Sequence, residues 1–352
     1  MRKHPPPQIR TFVVTLMKHY TVLVLLLLLA ACRQSNHTPP AISFYYWKTT
    51  FRLSAEERAV LQKHRVSTLY VRYCDVAIRQ GKPVPVSPIE FQEAPPDSVA
   101  LVPVVYIKNE VMLHPNLDVA DLAQKLLRYI DQINAGDSIQ NTELQIDCDW
   151  TLTSRDTYFR FLDQLKSQSA RRLSATIRLH QVKYYATTGL PPVDRSVLMY
   201  YNMGRIGPGP ARSVYDRPTA EAYLGSISAY PRPLDVALPI FTWGIHLRDN
   251  KVIGLLNKTD EATFANDPHF EQKTPPYFEV KENVLKLGKY FKQGDRVKVE
   301  TITADDLREM ADDLAGELAH PPAEILFYDL DAFNLNHYNH EKDLLEDVSH
   351  AF

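Results

Sequence analysis

The sequence predicts an α/β fold: a (β/α)8 TIM barrel, somewhat irregular, with an insertion between strands seven and eight. Three observations predict it. Eight apolar runs of strand length recur along the 352 residues. Most are followed by a stretch with apolar residues at helical spacing. Polar and aromatic side chains recur at the C-terminal ends of the runs, which a barrel gathers on one face. An open, doubly wound sheet is the alternative.

The elements follow in order. Ile42 to Trp47 is aromatic and strand-like. Ser54-Ala55-Glu56-Glu57 has capping-box spacing and opens a helix to about His64. Ser67 to Tyr73 is the second strand, ending at Cys74-Asp75. Val76 to Ser98 holds five prolines and no convincing helix, only an extended piece around Ile89 to Phe91. Ala100 to Ile107 is the third strand, although Pro103 removes a ladder donor. Leu122, Leu126, Leu127, Ile130 and Ile133 predict a helix over 117–133. Glu143 to Asp149 is the fourth strand and Ser154 to Ala170 the next helix. Leu173 to Leu179 is the fifth strand, ending at His180, and Gln181 to Arg195 lacks a clear helix. Ser196 to Tyr201 is the sixth strand, followed by a helix over 219–230. Val236 to Trp243 is the seventh. Residues 244–302 are an insertion with apolar alternation near Tyr277 to Val280 and Val297 to Ile302. Thr303 caps a helix to about His320, and Glu324 to Leu330 is the eighth strand. The domain spans 41–335, and the polar tail 336–352 is expected to fray.

The first 31 residues carry Arg2, Lys3, Arg10 and Lys18 and no acid, then an apolar run from Thr21 to Ala31. That is a basic region and an apolar core too short to span a bilayer, the layout of a signal peptide. Met17 could be the true start. The run ends in Leu29-Ala30-Ala31-Cys32, which resembles the lipobox of bacterial lipoproteins. The resemblance implies cleavage before Cys32, lipidation of Cys32 and a membrane anchor, with a short transmembrane anchor as the alternative. Residues 32–40 read as a tether. The expected location is the cell envelope, anchored to a bacterial membrane, the outer ahead of the inner. The chain has 40 Lys+Arg against 42 Asp+Glu. Removing the four early basic residues leaves 36 against 42, a net charge near −6. That argues against a nucleic-acid partner. Cys74 and Cys148 remain, read as two free buried thiols rather than a disulfide or metal site.

The chemistry concentrates in Asp147-Cys148-Asp149-Trp150-Thr151 at the end of the fourth strand. Residues at i and i+2 share a strand face, so Asp147 and Asp149 point the same way. Two like charges on a buried face are costly unless partners or a site stabilise them. A strand running out into a solvated acidic loop is the plain alternative. Arg178, sharing a face with Thr176 and His180, is a natural partner for either Asp. An internal structural ion pair would look the same in sequence.

Asp147-Cys148-Asp149-Trp150 resembles the Asp-x-Asp-Trp-Glu segment of chitinase-like, family 18-type glycoside hydrolases. Met199-Tyr200-Tyr201-Asn202 on the sixth strand is similar to their Met-x-Tyr-Asp, and Trp243 suits an aromatic sugar platform. The chain also resembles uncharacterised bacterial lipoproteins with such barrels. The glycosidase resemblance implies catalytic roles by position. Asp147 would support Asp149, Asp149 would orient the 2-acetamido group of the substrate, and Tyr201 would steady the intermediate. It departs at two places. Thr151 stands in the slot of the general acid, a Glu, and Asn202 replaces the Asp. Thr cannot protonate a glycosidic oxygen usefully at neutral pH. Asp75, Glu110, Asp329, Asp331 and His180 are candidates to supply the proton.

The expected activity is therefore that of a membrane-tethered, glycan-active protein, a glycoside hydrolase-like enzyme with a variant general acid. The alternatives are a carbohydrate-binding lipoprotein of the same fold without catalysis, and a purely structural envelope protein. Tyr46, Trp47, Arg72, Asp75, Arg178, His180, Asn202, Trp243 and Asp329 are the expected substrate-binding residues. Tyr106 is a further stacking candidate. The partner is a glycan or oligosaccharide. No cofactor and no metal are expected. Arg205 to Pro210 lacks phosphate-loop spacing, and HExxH and Gly-x-Ser-x-Gly do not occur.

Overall fold

The computed structural model describes residues 38–352. The expected signal peptide 1–31, Cys32 and most of the expected tether lie outside the described residues. The eight expected strands are all present. They are β1 (Ala41–Tyr46), β2 (Thr68–Arg79), β3 (Ala100–Ile107), β4 (Glu143–Asp147), β5 (Arg172–Arg178), β6 (Arg195–Met199), β7 (Asp235–Pro239) and β8 (Glu324–Tyr328). Each pairs in parallel with the next, and β1 pairs with both β2 and β8. The sheet is closed, so the fold is a (β/α)8 barrel and not an open doubly wound sheet.

The helices form where patterning and caps agree. Helix Ala55–Lys63 starts on the expected capping box of Ser54 and Glu57. Helix Val119–Asp137 buries Leu122, Leu126, Leu127 and Ile130 and runs a turn beyond its expected end, to a left-handed cap at Ser138. Helix Arg155–Gln168 buries Tyr158, Phe161, Leu162 and Leu165. Between β2 and β3 the helix is replaced by strand Lys82–Val86, which folds back antiparallel on an extended β2. Pro83 and Pro85 suit this edge position, where no neighbour needs their missing donors. After β5 there are only two short helices, Leu179–Lys183 and Tyr185–Thr188.

Two expectations change. The apolar run 236–243 is two strands in different sheets. β7 stops at Pro239, and Thr242–Arg248 already belongs to the inserted five-stranded antiparallel sheet. That sheet has its own core of Leu256, Phe264, Phe270, Phe278, Phe291 and neighbours. The tail does not fray. Helix Leu344–His350 buries Leu344, Leu345 and Val348, and Ser349 Oγ donates to Pro40 O at 2.8 Å. The barrel, the insertion and this helix form one compact unit over Pro40–Phe352. That unit contains the whole described core, so it carries what its fold requires.

The lumen is polar at its N-terminal end. Arg195 on β6 meets Asp235 on β7, Glu324 on β8 and, at 3.5 Å, Glu143 on β4. Tyr70 on β2 donates to Glu324 at 2.8 Å, and Ser43 on β1 also meets Glu324. Above this layer Tyr45 donates to Gln145 at 2.8 Å. Among the described residues the lower lumen is thus filled by paired groups.

Candidate functional site

At the mouth lies a cavity of about 340 Å³. Its floor is Asp147, the last residue of β4, only 8% exposed. Thr176 Oγ1 on β5 donates to it at 2.6 Å. Burial pushes its carboxyl up to about 6, against the Thr176 hydrogen bond and with the nearby charge of Asp149 adding to the rise. Asp149, two residues on, pairs with Arg178 at the end of β5. Burial opposes the Arg178 charge, but the Asp149 hydrogen bond and charge outweigh it and raise the guanidinium further. The expected Asp–Arg partnership is therefore present, and it falls on Asp149.

An aromatic wall faces these groups. Tyr201, at the end of β6, stacks on Tyr328 of β8 with centroids 5.5 Å apart. Trp47 meets the same Tyr328 at 5.4 Å, and Phe241 joins Tyr328 at 5.8 Å and Trp243 at 5.4 Å. Trp243 Nε1 donates to Glu300 at 3.2 Å, fixing its ring. Asn202 sits beside Tyr201 with φ +52, and its Oδ1 has no partner among the described residues.

Asp329 follows Tyr328 in the chain and lines the same cavity. Asn334 Nδ2 donates to it at 2.7 Å. Burial and then the like charge of Asp331 push its carboxyl up to about 6. Asp331 itself is held low by Lys258 at 2.7 Å and Lys48 at 3.0 Å, which outweigh its burial. Two carboxyls pushed up to about 6 thus share one cavity with Asp149, which is ion-paired. Among the described residues no three potential metal ligands converge.

The cavity collects Trp47, Asp147, Asp149, Arg178, Tyr201, Asn202, Trp243 and Asp329 of the expected residues, and Tyr106 with them. Four it does not. Tyr46 alternates to the outside of β1, fully buried, with its hydroxyl on Thr50 O at 2.8 Å. Arg72 and Asp75 bind each other at 2.7 Å, with the Arg72 guanidinium 6.0 Å from the Trp47 ring; they brace the wall from behind. His180 is exposed, because β5 ends at Arg178 and a helix turn begins at Leu179. It lines a separate depression with Trp150, Thr151, Leu152 and Tyr184. Thr151 therefore does not face the cavity at all. Glu110 is also elsewhere, 3.4 Å from Ile78 N.

Sequence reasoning missed Phe241, Asn257, Lys258, Tyr328 and Asn334, which also line the cavity. Tyr328 was legible from alternation along β8. Asn257 and Lys258 come from the insertion, whose register no local pattern reveals. A larger groove of about 670 Å³ lies outside the barrel, between strand Lys82–Val86 and helix Val119–Asp137. Its acids are Asp118, a helix cap, and Asp121, paired with Lys125 at 2.6 Å, so it gathers no reactive set.

No family model and no curated protein matches this sequence. Solved structures similar to it share little identity. The Bacillus cereus spore cortex-lytic enzyme SleL is 17% identical, with 88% of this chain and 75% of that one covered and a TM-score of 0.49. A chitinase from Chromobacterium violaceum is 13% identical, with 88% and 99% covered and a TM-score of 0.49. The chitinase-like agglutinin of Robinia pseudoacacia is 11% identical, with 88% and 98% covered and a TM-score of 0.46. The fold implied by the chitinase-like motifs, a (β/α)8 barrel, is the fold observed.

Proposed function

We propose that this chain is an envelope-tethered, glycan-active protein of glycoside-hydrolase type, with Asp329 in place of the missing general acid. One observation carries the reading: Asp329, held near pH 6, faces the same aromatic-walled cavity as Asp147 and the ion-paired Asp149. A general acid works best when its pKa lies near the working pH. Thr151 cannot serve, by chemistry and by position. Asp147 is the other protonatable carboxyl, but it lies on the floor beneath Asp149 and is engaged by Thr176.

In this reading a sugar ring stacks on the wall of Trp47, Tyr328 and Trp243. Asp329 gives its proton to the glycosidic oxygen as the bond from that oxygen to the anomeric carbon breaks. The 2-acetamido oxygen of the substrate attacks the same carbon, oriented by Asp149, while Tyr201 steadies the cyclic intermediate. Water then opens the intermediate and Asp329 takes back a proton. A lipid on Cys32 would hold the enzyme at the membrane.

A second reading is binding without cleavage. The Asp149–Arg178 pair favours it, since a carboxylate already neutralised has less to offer a developing charge. Incubation with chitin-type oligosaccharides and peptidoglycan fragments, followed by mass spectrometry, separates the two. New reducing ends that disappear in Asp149→Asn support hydrolysis. Saturable binding with no cleavage supports the second reading, and cleavage unchanged in Asp149→Asn removes Asp149 from the mechanism.

A further inference from the structure

Five of the nine large apolar side chains exposed among the described residues belong to the insertion, which occupies only residues 242–301. Three of the five lie on one hairpin. Strands Val284–Lys286 and Lys289–Phe291 pair antiparallel, with Leu285 opposite Tyr290 and Val284 opposite Phe291. Side chains alternate across a strand, so Val284 and Phe291 turn to the core of the insertion. Leu285 and Tyr290 turn outward, 72% and 53% exposed. Leu287 is at the tip, also exposed, with φ +53. A bulky residue at positive φ is unfavourable for the backbone, so the turn itself gives no reason for a leucine there. Among the described residues nothing covers this face.

Charge surrounds it. Residues 281–292 contain Lys281, Lys286, Lys289 and Lys292 against Glu282 alone. Lys286, engaged by Asp267 at 2.6 Å, and Lys289 alternate to the side of Val284 and Phe291, while Lys281 and Lys292 stand at the two ends of the hairpin. Arg248 Nη2 donates to Tyr290 O at 3.4 Å, which brings the turn with Asp249 and exposed Lys251 beside the hairpin. Asp295 nearby is buried and already satisfied by Arg248 and His246. The local balance is cationic in a chain that is acidic as a whole.

We propose that this hairpin is a membrane-docking surface that takes an anionic lipid bilayer. Leu285, Leu287 and Tyr290 enter the headgroup layer, where tyrosine rings are at home. The surrounding lysines meet lipid phosphates. The contact is distinct from acylation of Cys32 and does not need it, nor does it depend on the glycan reading.

The test uses Pro40–Phe352, which lacks Cys32, in co-sedimentation with vesicles. Phosphatidylglycerol/phosphatidylethanolamine vesicles are compared with phosphatidylcholine alone. Binding to the anionic vesicles is expected, weakening as salt is raised. Lys292→Glu should weaken it by about fivefold or more. Leu285→Asp with Tyr290→Asp should weaken it by about tenfold or more. Circular dichroism and glycan turnover of the variants should match the parent, since none of these residues lines the cavity. No sedimentation with anionic vesicles would overturn the proposal, as would equal sedimentation of the Leu285/Tyr290 variant. A concentration-dependent dimer abolished by that variant, without lipid binding, would assign the face to a second copy instead.

Discussion

Replacing Asp147 by Asn should make the protein more stable at neutral pH, and the size of the gain follows from the geometry. In the folded protein the Asp147 carboxyl is pushed from an ordinary 3.8 to about 6, chiefly by burial. At about 1.4 kcal/mol per pH unit, holding it ionised on the cavity floor costs about 3 kcal/mol. The sign follows from proton linkage. The folded state binds this proton more tightly than the unfolded chain. The destabilisation is absent below about pH 4, grows as pH rises toward 6 and is complete above it. About half should be present at pH 5. Asn is nearly isosteric, and its Oδ1 can still accept from Thr176 Oγ1. The rise to about 6 already includes the attraction to Arg178, and the Asn amide must itself be desolvated on the cavity floor, so a measured gain of about 1–3 kcal/mol is expected at pH 7.5. Urea unfolding of both proteins at pH 5 and 7.5 reads it directly. Asp147→Asn that is less stable than the parent at pH 7.5, or a gain of equal size at both pH values, would refute the reasoning. The wider meaning is that a carboxylate kept at the expense of stability needs a reason, and a functional site supplies one.

Three further outcomes follow from the same structure. Arg195→Met should lower stability by about 3–5 kcal/mol at pH 7 in urea unfolding, because it leaves Asp235, Glu324 and Glu143 facing one another in the lumen without their cation. A loss below about 1 kcal/mol would show that this cluster is not acting as a buried ion network. Leu344→Ala should cost about 2–4 kcal/mol in thermal or urea melts, since that side chain is 1% exposed in a helix packed against the barrel; a neutral result would restore the frayed tail. Trp243→Ala should weaken glycan binding by roughly tenfold in calorimetry while leaving the melting transition within a few degrees, as expected of a ring that stacks on ligand and is only partly buried.

Much of the barrel was legible because strands of a parallel barrel are buried on both faces and read as apolar runs between turns. The Asp147–Asp149 pair was legible because strand periodicity fixes which residues point together. What failed did so for identifiable reasons. Residues 236–243 are apolar except for Thr242, yet the chain changes sheet at Ile240-Phe241. Hydrophobicity has no signal for that, so Trp243 was placed on the barrel when it arrives from the insertion. His180 continues the alternation of β5 in sequence, but the backbone turns helical at Leu179 and carries it away from the cavity. Arg72 and Asp75 satisfy each other, and a local ion pair cannot be told from a ligand pair without coordinates. The Arg195 cluster draws on five other strands of the barrel, and contacts of that range leave no local pattern. The helix at Leu344–His350 had a readable spacing in Leu344, Leu345 and Val348, hidden by the polar residues around it.

On the reading proposed above, Asp329 supplies the proton that Thr151 cannot. Its most direct test is the pH–rate profile of Asp329→Asn against the parent on a 2-acetamido glycan substrate. Parental turnover should fall as pH rises through about 6 and drop by about 10²–10⁴-fold in Asp329→Asn with substrate affinity retained. Turnover and pH profile unchanged in Asp329→Asn would contradict it.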